Sequence, residues 1–156
     1  MAIASPGATL RDEQQLIRSI LELMQKEQQF LISADADGLA TLVPAKLQLA
    51  QRLGDLSRMR HRALAAAGFP ASEDGMEPWL AVGGNHTHRV DWDRLLDATR
   101  EAKELNRVNG MLVARQLAHT QGALNALRGP AAGAAGVYGP GGQTVAAGPS
   151  RRYVVG

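Results

Sequence analysis

Cysteine is absent from the 156 residues, and only six side chains are aromatic: Phe30, Phe69, Trp79, Trp92, Tyr138 and Tyr153. The first absence excludes a disulfide framework, a thiolate nucleophile and a Cys-ligated zinc site, and it suits a reducing compartment. The second, together with few β-branched residues, leaves too little to fill a β-sandwich. The core must then rest on Leu and Ala, and the fold class expected is all-α. Long hydrophobic runs are missing too: no segment approaches the ~18–20 apolar residues that span a bilayer. Residues Met1 to Thr9 have neither the basic nor the apolar region of a signal peptide. No membrane insertion and a cytoplasmic location are expected.

An excess of one charge is also nearly absent, since 17 basic side chains face 15 acidic ones for a net +2. Up to Arg128 the two signs balance, and the whole excess comes from Arg151 and Arg152. A neutral body with interspersed charges offers no stripe to track phosphates, so nucleic acid is not an expected partner.

Helical periodicity dominates what remains. Over residues 9–33 apolar side chains recur at Leu10, Ile17, Ile20, Leu21, Met24 and Leu31, flanked by Leu16, Leu23 and Phe30. That pattern covers about half a helix circumference at 100° per residue. Thr9 is the expected N-cap, Asp12 and Glu13 meet the positive end of the dipole, and the stretch Asp35 to Gly38 is the expected stop. A second helix is predicted over 36–67, with Leu39, Leu42, Val43, Leu49, Leu53, Leu56, Ala63 and Leu64 on one side, capped by Asp35 or Asp37 and ended by Gly68 and Pro70. Pro44 lies inside it, where a lost hydrogen bond costs ~3 kcal/mol and a kink or a delayed start is expected. The cations Arg58, Arg60, His61 and Arg62 suit the negative end of this helix, the alternative being an anion-binding patch.

Residues 68–90 lose the periodicity and read as a connector, in which Met76, Trp79, Leu80 and Val82 pack as a short turn across one end of the bundle. A third helix is predicted over 91–128, started by Asp91, Asp93 and Asp97. A four-three spacing runs along it through Leu95, Thr99, Ala102, Asn106, Asn109, Val113, Gln116, Thr120, Ala123 and Leu127, a heptad seam with left-handed supercoiling. Buried amides and hydroxyls cost ~1–3 kcal/mol each without a partner. Asn106, Asn109, Gln116 and Thr120 are therefore read as a structural polar seam that fixes register, with recognition of another chain as the alternative. The architecture expected is an elongated antiparallel three-helix bundle or coiled coil over residues 1–129.

After Gly129 the composition changes: Gly, Ala and Pro supply 17 of the last 28 residues and no acid occurs. Residues 130–156 read as a flexible partner-binding tail. Its bulky groups form two islands, Val137 with Tyr138 and Tyr153 with Val154 and Val155, which look like anchors.

No catalytic constellation emerges, so an enzyme and a cofactor are not expected. The serines fit no nucleophile elbow, and the glycine-rich tail lacks the Lys-Ser or Lys-Thr of a phosphate loop. His86 and His88 fall short of the three or four ligands a metal needs, and His119 reads as a structural histidine.

Several segments in order carry a resemblance: Ser-Ala-Asp-Ala-Asp-Gly-Leu at 33–39, Leu-Asn-Arg-Val-Asn-Gly-Met-Leu-Val at 105–113, His-Thr-Gln-Gly-Ala-Leu-Asn-Ala-Leu-Arg-Gly at 119–129, and Val-Tyr-Gly-Pro-Gly-Gly-Gln at 137–143. Together with the Leu- and Gln-rich first helix and a later Trp-Leu, they resemble the FlgN family of flagellar export chaperones over nearly the entire chain. The resemblance implies a cytosolic chaperone that binds the hook-filament junction proteins FlgK and FlgL and delivers them to the flagellar type III export gate, and it gives a tail tyrosine, here Tyr138, to that gate. The residues expected to contact partners are Val113, Leu117, Leu124, Leu127, Val137, Tyr138, Tyr153, Val154 and Val155. A structural protein that homodimerises through its third helix is the competing expectation.

Overall fold

A computed structural model describes residues 4–135 and the side chains of residues 4–129. Its elements are α1 (Leu10–Ile32), α2 (Ala36–Ala66), a 3-10 turn at Glu73–Gly75, α3 (Met76–Val82) and α4 (His86–Ala135). No strand occurs among the described residues, and the fold is an all-α helical bundle. The chain divides into two units, Met1–Val113 and Ala114–Gly156, with the boundary inside α4.

In the first unit α1 supplies the core. Its residues Leu10, Ile17 and Leu21 cluster with Leu64 of α2, with Met76, Trp79 and Leu80 of α3, and with Trp92 and Leu95 of α4. Leu10, Leu64 and Met76 are fully buried, each contributing about 1.5–3 kcal/mol by leaving water. They come from three elements, so the same burial that stabilises the core also ties those elements together. The segment expected to be a turn is instead the helix α3, of which Met76, Trp79 and Leu80 are buried and Val82 is exposed. Gly75 makes the approach possible: a Cβ there would overlap the carbonyl oxygen of Pro70.

The ends of the long helices follow capping chemistry with some exchanges of role. Helix α1 ends at Ile32 with Ser33 as its C-cap, where the sequence placed its end, and Ala34 follows in the left-handed region at φ 56°. There the amide of Asp35 donates to Phe30 O (2.8 Å) and that of Ala34 to Leu31 O (3.3 Å), the paired bonds of a Schellman motif. Asp35 then caps α2 by accepting from the Gly38 amide at 2.8 Å, so Gly38 lies inside α2. The same motif ends α2: Gly68 sits at φ 89°, while the amides of Gly68 and Phe69 donate to Ala65 O and Leu64 O at 3.0 and 2.9 Å. Thr9 stands at the N-cap position without a capping bond. Its hydroxyl donates to Glu13 Oε2 at 2.8 Å instead.

Two further expectations are corrected. Helix α2 starts at Ala36 and runs through Pro44, so its start is not delayed. Pro44 and Ala40, whose carbonyl loses its amide partner, are both exposed, and water can replace the missing bond. Helix α4 begins at His86, ahead of Asp91, because Asn85 Oδ1 accepts from the His88 amide at 2.8 Å and so serves as cap. Asp91 is buried and works between helices, accepting from Arg11 Nε at 3.1 Å. Its backbone carbonyl accepts from the Gln14 side-chain Nε2 at 2.9 Å.

The second unit carries α4 onward from Ala114. Gly129, at φ 62° and ψ −165°, interrupts the helix in a conformation close to glycine-only.

Candidate functional site

Two polar nodes in the first unit each join α1, α2 and α4. At the first, Arg60 is 2% exposed and Glu13 is 1% exposed. Their contact is bidentate, with Arg60 Nε at 2.9 Å from Glu13 Oε2 and Nη2 at 3.0 Å from Oε1. Arg60 Nη2 also donates to Glu73 Oε1 at 2.9 Å, and the guanidinium lies 5.0 Å from the ring centroid of Trp92. Burial pulls the Arg60 pKa down, but the hydrogen bonds it donates to Glu13 and Glu73 and the charges of those carboxylates outweigh it and leave the group above its ordinary value. For Glu73 burial pushes upward, yet Arg60 and then His61, whose Nε2 lies 3.0 Å away, hold the carboxylate below the usual range. The cation cluster on α2 therefore contains one buried member that locks the fold. Neither the helix-dipole reading nor the anion-patch reading of that cluster described it.

At the second node Asn109, 3% exposed, donates from Nδ2 to Met24 O and to Glu27 Oε1, both at 2.9 Å. Lys46 of α2 completes it by donating to Glu27 at 2.9 and 3.2 Å. Of the four residues assigned to a polar seam, Asn109 is buried, Gln116 is half-buried, and Asn106 and Thr120 are exposed.

The apolar residues assigned to partner contact stand as follows. Val113, the last residue of the first unit, is 43% exposed. In the second unit Leu117, Leu124 and Leu127 are 63%, 47% and 84% exposed, with Thr120 on the same four-three spacing. Val137, Tyr138, Tyr153, Val154 and Val155 lie outside the described residues. His119 is exposed, and no acidic residue follows Glu104 in the chain.

Of the two histidines near the connector, His86 is exposed. His88 packs against Trp79 with ring centroids 5.1 Å apart, and its ring fills the space that a side chain on residue 7 would need. Among the described residues no group of three or more His, Asp or Glu is placed to hold a metal ion. None of the described helices is long and apolar enough to cross a membrane.

A signal for the first node was present in the sequence. Glu13 falls between Leu10 and Ile17 on the apolar face of α1, and Arg60 falls between Leu53 and Leu64 on that of α2. A charge of each sign on a buried stripe points to a pair, since such groups are rarely buried alone.

Helices α1, α2 and α4 pinned to one another by internal polar nodes define the class, an all-α helical bundle. A family model described as FlgN protein matches residues 1–146, and the chain belongs to the FlgN family of flagellar export chaperones. No curated protein and no solved structure matches the chain.

Proposed function

We propose that this protein is a cytoplasmic chaperone that holds the hook-filament junction proteins FlgK and FlgL before export and passes them to the flagellar type III export gate, with no catalytic role and no cofactor. The observation that carries the reading is the row Leu117, Leu124 and Leu127, large apolar side chains exposed on one helical spacing in a member of this family. Isolated exposed leucines are ordinary, but a row on the heptad spacing is the pattern that a partner helix covers. Val113, exposed in the first unit, is a further contact residue in this reading. Client binding of this kind needs no nucleotide, because release requires only a competing equilibrium at the gate.

The tail residues Val137, Tyr138, Tyr153, Val154 and Val155 add anchors in this reading. Tyr138 contacts the gate, and the others contact the client. Calorimetric titration of FlgK and FlgL into the full chain and into a chain ending at Gly129 tests the division of labour. Weakened but measurable binding on truncation is expected, and unchanged affinity would remove the tail from the client site. Replacing Tyr138 with Ala should leave client binding intact and impair gate binding.

A further inference from the structure

Between α2 and α4 of the first unit lies an apolar slot of ≈ 420 Å³ floored by α1. Its floor is Ile17, one wall is Leu53 and Ser57 of α2, and the other is the stripe Trp92, Leu96, Thr99 and Lys103 of α4. The first polar node lines it as well: Glu13, Arg60 and Glu73 border the slot but satisfy one another. Thr99 likewise spends its hydroxyl on Leu95 O at 2.8 Å. That leaves Lys103 as the uncommitted charge. It is exposed and joins no ion pair among the described residues, whereas its basic neighbours Arg100 and Arg107 are paired with Asp97 and Glu104 at 3.0 and 2.7 Å.

We propose that this slot is a second docking site, separate from the leucine row, and that it takes an amphipathic helix of a partner protein which inserts bulky apolar side chains and sets a carboxylate against Lys103. Trp92, Leu96 and Lys103 stand at positions i, i+4 and i+11 of one helix, so they present anchor pocket and cation along about three turns. A partner helix laid alongside would match that period with apolar residues one turn apart and its acid about two turns further on. The charge gives orientation, since reversing the helix would leave the carboxylate away from Lys103.

The identity of the partner rests on the chaperone reading above, and the test keeps the two apart. FlgK and FlgL are titrated into wild type, into Lys103→Glu and Thr99→Trp, and into Leu117→Asp, with thermal unfolding recorded for each variant. Lys103→Glu, an exposed substitution that leaves the core untouched, is expected to weaken binding about tenfold, and Thr99→Trp to do so by filling the slot. A photo-crosslinker at position 96 should join the client. Normal affinity in Lys103→Glu with no crosslink at 96 overturns the slot, while loss in Leu117→Asp alone leaves the leucine row as the client site. No binding to wild type overturns both.

Discussion

Ala34 shows how one residue can hold a helix end at a conformational cost. Its φ of 56° puts a Cβ where the left-handed region disfavours it by roughly 1–2 kcal/mol. The Schellman bonds it completes make the position worth occupying. Ala34→Gly should therefore raise stability by about 0.5–1 kcal/mol, read as a shift of the urea midpoint at constant slope. Arg60 is the opposite case, a residue whose removal leaves its partner stranded. Arg60→Ala deprives the buried Glu13 of both its guanidinium bonds and should cost about 3–5 kcal/mol, whereas Glu13→Gln combined with Arg60→Met should recover much of that loss. Glu73 supplies the pH dependence of the same node. Its pKa in the folded chain lies below the ordinary value, so the carboxylate contributes stability above the ordinary Glu range of about 4.3 and that contribution is lost as pH falls through the depressed value. Glu73→Gln should unfold at lower temperature than wild type at pH 7, with the gap closing below about pH 4.

At the scale of elements, α1 and α2 were legible because both are long enough for their apolar period to repeat many times, and because Asp35, Gly68 and Pro70 are chemical punctuation. Helix α3 was not legible as a helix. Seven residues give barely two turns, too few for a period to show, and the glycines and prolines around them signal a loop. The start of α4 was misplaced for a related reason, since Asp91 has the composition of a helix start while Asn85 does the capping. The polar positions along α4 differ because neighbouring helices, which no local pattern reveals, cover some and leave others open. Asn109 meets α1 and is buried, while Asn106 and Thr120 are exposed. Asn109→Ala should cost about 1–2 kcal/mol, and Asn106→Ala or Thr120→Ala should stay within about 0.5 kcal/mol of wild type. Chemical denaturation of the three variants checks the contrast directly.

Across the whole chain the charge separates what the net value conceals. All fifteen acidic side chains precede Ala114, whereas Arg115, Arg128, Arg151 and Arg152 follow it without an acid among them. The mildly basic composition is thus an acid-containing first unit followed by a purely basic remainder. Family membership was legible from ordered segments that reach into the tail. The Arg60 node was legible only as a charge on each of two apolar stripes, since which charges meet depends on Glu13 and Arg60 coming together across 47 residues of sequence. The slot beside it depends on the gap left between α2 and α4, which no local pattern gives. A chaperone needs a free helix face, and a coiled-coil scaffold would instead consume that face in a homodimer. The decisive measurement is light scattering of the protein alone and after mixing with equimolar FlgK or FlgL. A monomer that shifts to the mass of a one-to-one complex is expected. A stable homodimer whose mass is unchanged by either protein would contradict the chaperone reading.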